Sequence, residues 1–188
     1  MIRTAVIGFA SMWYNNQNIF RYKRRRFTDM LDDDVRIRPA VPEEAEELSD
    51  IAWSSKGYWE YPVEVMNEFR SFLLIREEFI ENNIVYLAEN EETEEKIGFY
   101  ALEKDDEKGH WWLRHMWVIP EYIGSGIGGD LFLHACETAE TVGAEEIYIL
   151  SDPSGTEFFT HLGAEPIGEE LFKVGNLDRI LPVLKIKL

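Results

Sequence analysis

The sequence contains a single cysteine, Cys136, so no disulfide can form within the chain. A chain without an internal disulfide is typical of a reducing compartment, and we expect a cytoplasmic protein. The surrounding "LFLHACETA" has the apolar spacing of an amphipathic helix. That setting predicts a buried, unreactive thiol rather than a nucleophile.

Long hydrophobic runs are also missing. The apolar stretch within "MIRTAVIGFASMWY" is shorter than the roughly 20 residues that a membrane-spanning helix needs. It has no convincing small-residue cleavage site either. We therefore expect neither a membrane span nor secretion.

Basic side chains are scarce: 19 Lys and Arg face 36 Asp and Glu, for a net charge of −17. Phosphate backbones are held by clustered Lys and Arg, so this balance argues against a nucleic-acid-binding protein. An acidic body favours cationic ligands such as amines, although a solvated surface is the commoner explanation of excess glutamate.

The first 34 residues differ from the rest, since they hold six basic and four acidic side chains, including the run "RYKRRR". We predict an N-terminal appendage over residues 1–34 and one domain over residues 35–188. The basic run could contact a membrane or nucleic acid, or lie on the acidic body. Met30 precedes the first strand closely, which suggests that translation could also begin there.

From residue 35 the hydrophobic pattern predicts alternating strands and helices. Strands are expected at "VRIRPA", at the hairpin "IVYLAEN" with "KIGFYALEK", and at "HWWLRHMWV", "EEIYILSD" and "RILPVLKIKL". Helices are expected at "VPEEAEELSDIAW", "VEVMNEFRSFLL", "GGDLFLHACETAETVGA" and "GTEFFTHLGA". The chain is thus predicted to be a mixed α/β domain.

Four glycines, Gly124, Gly126, Gly128 and Gly129, stand at the entrance to one of these helices. The first amides of a helix have no partner inside it, and glycine lets a phosphate approach them closely. The loop therefore predicts a phosphate or pyrophosphate site. Its spacing also fits the dinucleotide motif G-x-G-x-x-G, with Asp152 as the ribose-binding acid, although residues 119–123 separate it from the preceding strand.

A second pattern covers more of the chain. The spacing V-x-P-x-x-(Arg/Gln)-x-x-G-x-G resembles motif A of the GNAT superfamily of acyl-CoA-dependent N-acyltransferases, here as Val118, Pro120, Ile123, Gly126 and Gly128. The downstream "DPSGTEFFTHLGAEPIG" is similar to a later segment of that family. The resemblance extends over residues 35–188 and implies the GNAT fold, a mixed central sheet with splayed middle strands flanked by helices.

The resemblance implies a set of residues that hold acetyl-CoA as co-substrate, without a metal. The strand before the loop would contact the pantetheine arm, and the loop amides would hold the pyrophosphate. These residues are Met116, Trp117, Val118, Gly124, Ser125, Gly126, Ile127, Gly128 and Gly129.

Two departures from the family pattern bear on catalysis. Ile123 occupies the family's Arg or Gln position, and Phe159 occupies the position of a Tyr that protonates the leaving thiolate in many relatives. Asp152 and Gly155 replace the usual Asn and Ala. Since a phenyl ring donates no proton, the acid must be water or another residue, or the protein turns over slowly or not at all.

The reaction implied is direct attack of a neutral amine on the thioester, which requires a base. The family's base positions fall near Trp112 and Arg114, neither of which is a base. His115 is the nearest imidazole, but strand alternation points it to the opposite face unless a bulge intervenes. Glu103 is a second catalytic candidate; structural roles remain the alternative for both residues.

The acceptor is expected near the loop between the first two helices, "SSKGYWEYP". Candidate substrate-binding residues are Lys56, Tyr58, Trp59, Tyr61 and Arg179, the last as a partner for a substrate carboxylate. Aromatic rings could enclose an amine or simply cover the core. The final strand could complete its own sheet or pair with a second copy in a homodimer.

These observations predict an N-acetyltransferase that transfers acetyl from acetyl-CoA to a primary amine of a small molecule or a protein. A non-catalytic module that binds or senses acyl-CoA is the alternative, and an NAD-binding oxidoreductase is a remote one.

Overall fold

A computed structural model describes residues 34–188. The predicted appendage, apart from Asp34, and the proposed start at Met30 lie outside the described residues. The chain order is β1 (Val35–Pro39), α1 (Ala45–Gly57), α2 (Val63–Leu73), α3 (Glu77–Asn82), β2 (Ile84–Asn90), β3 (Lys96–Lys104), β4 (Trp111–Val118), α4 (Ile127–Thr141), β5 (Glu146–Leu150), α5 (Thr156–His161), β6 (Glu165–Val174) and β7 (Leu177–Lys187).

The strands form one seven-stranded sheet in the order β1-β2-β3-β4-β5-β7-β6. Every neighbouring pair is antiparallel except β4 and β5, which run parallel. These two central strands pair only where Trp111–Leu113 faces Ile147–Ile149. Beyond that point β4 continues to Val118 without pairing to β5, so the predicted mixed sheet with splayed middle strands is confirmed.

Helices cover both faces of the sheet because each has one apolar side. The helix α1 follows a 3-10 turn that begins at Pro42, and it buries Leu48, Ile51 and Ala52 at helical spacing. With α2 and α3 it forms a core on one face. On the other face α4 buries Leu131, Ala135, Cys136 and Ala139. Cys136 is therefore buried, as predicted.

The strand β6 was not predicted from the sequence, because "EPIGEELFKV" lacks the regular alternation of a half-buried strand. It forms a long hairpin with β7 at one edge of the sheet, and all but two of its residues are exposed. Leu171 and Ile180 face each other across this hairpin with 65% of each residue exposed. The expected homodimer stays a prediction.

Among residues 34–188, no helix combines the length and the hydropathy that crossing a bilayer would require.

Candidate functional site

The divergence of β4 from β5 opens a cleft of about 670 Å³ in the middle of the sheet. Its walls come from the far end of β4, the glycine loop, the segment after β5, the helix α5 and the β6–β7 hairpin. The end of α1 and one side of α2 close it from the other face. Because the strands separate here, backbone groups of β4 that would otherwise pair with β5 are available to a ligand.

The glycine loop begins with a 3-10 turn, Pro120–Tyr122, and ends at Gly126, the residue that caps α4. Gly124 has φ +88° and Gly126 has φ +108°, a region that side chains avoid. A Cβ on Gly126 would meet no atom within 4 Å, and this residue lines the cleft. Gly128 lies against the Phe158 ring, which a Cβ would touch at 3.4 Å.

Several loop amides are already used within the loop. Gly129 and Asp130 donate to the Gly126 carbonyl at 2.8 and 3.2 Å, and Ile127 donates to the Ser125 hydroxyl at 3.4 Å. The Ser125 hydroxyl itself donates to the Tyr122 carbonyl at 2.8 Å. The remaining amides at the N-terminus of α4, which is the positive end of the helix dipole, are suited to binding an anion.

Of the nine residues expected to contact the cofactor, seven line the cleft: Met116, Trp117, Val118, Gly124, Gly126, Gly128 and Gly129. Ser125 is exposed in the loop, and Ile127 packs its side chain into the core. The strand end, the loop and the helix N-terminus thus meet in one cleft.

A model of the acetyltransferase (GNAT) family matches residues 45–164 of the chain. The chain belongs to the GNAT family. No curated protein matches the sequence.

Solved structures of low sequence identity share this GNAT fold. A GCN5-related N-acetyltransferase from Rhodopseudomonas palustris superposes with a TM-score of 0.70 at 19% identity, over 85% of this chain and 99% of that one. The PaiA N-acetyltransferase from Thermoplasma acidophilum, solved with coenzyme A, gives 0.62 at 19% identity over 82% and 99%. A GNAT acetyltransferase from Elizabethkingia anophelis with acetyl-CoA bound gives 0.55 at 16% identity over 84% and 100%.

His115, the first catalytic candidate, does not line the cleft of this GNAT domain. A bulge at Arg114 shifts the register of β4, so that His115 turns into the aromatic cluster of Phe72, Phe79 and Phe99. Its Nδ1 accepts a hydrogen bond from the Trp117 indole at 3.2 Å. Burial, with a smaller contribution from the Arg114 charge, lowers the pKa of His115 to about 4, so the ring is neutral near pH 7.

Glu103, the second candidate, also lies outside the lining of the cleft. Its carboxylate forms an ion pair with Arg114 on the neighbouring strand, and about a third of the Glu103 side chain is exposed. The residue that does line the cleft at this point is Arg114. The geometry therefore gives neither proposed base direct access to a bound thioester.

Phe159 lines the cleft from α5, and its ring packs against Phe132 and Phe158 at centroid distances of 5.5 and 5.1 Å. Gly155 lies close by, where a Cβ would meet the Phe159 ring at 3.7 Å. Phe159 brings no hydroxyl to this position, so its contribution is an apolar wall.

A polar cluster that the sequence analysis did not recognise surrounds Asp152, directly after β5. Lys56 Nζ donates to Asp152 Oδ2 at 2.5 Å, the Tyr61 hydroxyl donates to the carboxylate at 2.9 Å, and Arg179 donates at 3.0 Å. The Ser154 amide and hydroxyl donate to Oδ1 at 3.1 and 2.8 Å. One carboxylate therefore orients groups from two distant segments of the chain, residues 56–61 and Arg179.

Burial and charge act against each other in this cluster. Burial alone would raise the pKa of Asp152, but the hydrogen bond and charge of Lys56 outweigh it, and the pKa lies well below its ordinary value. Burial lowers the pKa of Lys56, and the nearby Arg179 adds to this effect, while the Asp152 carboxylate opposes it. Asp152 is thus a firmly ionised acceptor near neutral pH.

Among the five expected substrate residues, Lys56, Trp59 and Arg179 line the cleft. Tyr61 reaches the same place through its hydrogen bond to Asp152, and Tyr58 packs edge-to-face on Trp59 at 5.3 Å. Asp152 was noted only as a substitution for Asn and as a possible ribose ligand. Its position at the end of a buried strand was the available signal, because ligand sites of open α/β sheets lie at such ends.

Proposed function

We propose that the protein is an N-acetyltransferase that transfers the acetyl group of acetyl-CoA to a primary amine by direct attack. Membership of the GNAT family supports acetyl transfer, and one observation carries the assignment to this chain. The splayed strands lead directly into the amides at the start of α4, so a thioester between β4 and β5 can place its diphosphate on those amides.

The chemistry follows from this placement. The nitrogen lone pair of a neutral amine attacks the thioester carbonyl carbon, a C–N bond forms, and the C–S bond breaks with the electron pair going to sulfur. Backbone amides polarise the carbonyl, since they are fixed donors that need no reorganisation during the reaction. His115, Glu103 and Phe159 supply neither proton transfer, so the amine proton passes to water or to another group in the open cleft, and the thiolate takes a proton from water or another such group.

The direct test is release of free CoA thiol from acetyl-CoA in the presence of a panel of amines. Turnover with any amine above the rate of hydrolysis supports the proposal. Failure of the wild-type protein to bind acetyl-CoA in calorimetry would contradict it.

A second candidate function is a non-catalytic module that binds or senses acyl-CoA, and Phe159 is the observation that favours it. We expect Phe159→Tyr to raise kcat by roughly tenfold or more in an enzyme, because general acids typically contribute at least that factor. Phe158→Tyr is the matched control, since that ring also lines the cleft and is 38% exposed. Tight acetyl-CoA binding without turnover in the wild type and both variants would favour the sensing module.

A further inference from the structure

Two cations converge on one carboxylate where α1 and the β6–β7 hairpin line the cleft. Lys56 Nζ and Arg179 both donate to the same oxygen of Asp152, at 2.5 and 3.0 Å. The Lys56 side chain is only 4% exposed, and those of Arg179 and Asp152 are 19% exposed. We call Lys56 and Arg179 the cation pair. Together with Asp152 they carry a net charge of +1 in a poorly solvated place.

The excess charge of the cation pair is opposite to that of the chain as a whole. Lys56 and Arg179 share the single carboxylate of Asp152, whereas the full chain carries −17. A poorly solvated charge without a full counter-charge is costly. An anion bound beside Lys56 and Arg179 would complete the neutralisation.

Asp152 is not free to serve as the site for a substrate ammonium group. Both of its oxygens accept hydrogen bonds, from Lys56, Arg179 and Tyr61 and from the two groups of Ser154. An ammonium group placed here would meet two like charges before it reached the carboxylate. Lys56 and Arg179, by contrast, keep N–H donors beyond those that Asp152 uses, since an ammonium has three and a guanidinium five.

Aromatic rings adjoin the cation pair. Lys56 Nζ lies 4.3 Å and the Arg179 guanidinium 5.2 Å from the centre of the Phe69 ring. Phe72 and Phe172, which also line the cleft, pack against each other at 5.1 Å. A ligand that fits these walls has an apolar or aromatic body beside its anionic group.

We propose that the cation pair binds a carboxylate of the acceptor, so that the acceptor is an amine that also carries a carboxylate on an apolar or aromatic body. This inference rests on the proposed acetyltransferase function only for the identity of the ligand as acceptor. The carboxylate subsite itself can be tested without turnover.

The experiment uses two probes with the same carbon skeleton, 3-phenylpropanoate and 3-phenylpropan-1-amine, titrated by calorimetry into the protein with and without saturating CoA. We expect the carboxylate to bind at least tenfold more tightly than the amine. Arg179→Gln should weaken carboxylate binding by roughly 10- to 100-fold, the usual effect of losing a charge-assisted hydrogen bond. Arg179→Lys, which keeps the charge, should recover part of that loss.

Lys185→Gln is the matched control. Lys185 lies on the same strand β7, pairs with Glu146 at 2.9 Å and does not line the cleft. It should change neither carboxylate nor CoA binding. In turnover assays, L-phenylalanine should be used in preference to 2-phenylethylamine.

Three results would overturn the subsite: the amine probe binding as tightly as the carboxylate, neither probe binding, or Arg179→Gln weakening CoA instead of the carboxylate. The last result would assign the cation pair to the cofactor. Loss of CoA binding by the wild type is a separate outcome, which contradicts the proposed function and leaves carboxylate binding by the free protein intact.

Discussion

At the scale of single residues, Gly126 has two properties that a side chain would disturb. Its φ of +108° costs an L-residue about 1–2 kcal/mol, and the residue lines the open cleft. We expect Gly126→Ala to weaken acetyl-CoA binding by roughly tenfold or more, because the loop must shift the amides that start α4 in order to relieve the strain. Calorimetric titration with acetyl-CoA measures this loss.

Gly143 provides the matched control, because its φ is +81°, a Cβ there would meet nothing within 4 Å, and it follows the far end of α4. Gly143→Ala should cost similar stability in urea unfolding and leave acetyl-CoA affinity unchanged. Equal effects of the two substitutions on affinity would show that strain alone explains the Gly126 result and would remove the loop from the proposed cofactor site.

The glycine loop was predictable at this scale, and Asp152 was not. The glycines lie close together in the sequence. Their spacing directly reflects a helix N-terminus whose unpaired amides must be approached without a Cβ in the way. The partners of Asp152 lie 96, 91 and 27 residues away, in Lys56, Tyr61 and Arg179. A local sequence pattern carries no information on contacts between residues so far apart in the chain. The sequence therefore indicated the individual residues but not that they form a cluster.

At the scale of elements, the bulge in β4 determines where His115 points and hence how the protein responds to pH. His115 has a pKa of about 4 in the fold against an ordinary 6.5. The fold favours the neutral form of His115. The contribution of this residue to the free energy of unfolding is therefore complete above pH 6.5 and is lost as the pH falls toward 4. Asp130 acts in the opposite direction, because burial raises its pKa from 3.8 to about 6 and its contribution is lost as pH rises.

The contributions of His115 and Asp130 to stability change with pH in opposite directions. The test therefore compares His115→Asn with the wild type at each pH. Asn keeps an acceptor for the Trp117 indole and removes the titration. We expect the stability difference between the two proteins to shrink by about 2 kcal/mol from pH 7 to pH 5 in urea unfolding. The exposed His161→Asn serves as control, and a constant difference for His115→Asn would refute a buried neutral ring.

The same strand illustrates what the hydrophobic pattern could and could not predict about elements. Alternation located β4 at "HWWLRHMWV", yet the one-residue bulge at Arg114 changes the face of every later side chain. The helix α1 extends to Gly57, into the segment that was expected to be a loop. The short α3 and the exposed β6 lacked a clear period and were missed.

At the scale of the whole molecule, the described residues form two hydrophobic cores, with members from Val35 to Ile186. The family match lies inside this range, at residues 45–164. A chain that begins at Met30 retains every one of these core residues. We therefore expect it to unfold within a few degrees of the full-length chain in a thermal scan, because a point change of 1 kcal/mol shifts a domain of this size by only about 2–4 °C.

Removing residues 1–29 also takes away six basic and one acidic side chain, so the net charge changes from −17 to −22. The added negative charge should slow the association of anionic acetyl-CoA at about 10 mM salt and have little effect at about 150 mM, where the Debye length is roughly 8 Å. Stopped-flow binding at the two salt concentrations measures this difference. A shortened chain that aggregates, or that loses acetyl-CoA binding at the higher salt concentration, would show that residues 1–29 belong to the functional domain, because screening removes the long-range repulsion and leaves only specific contacts.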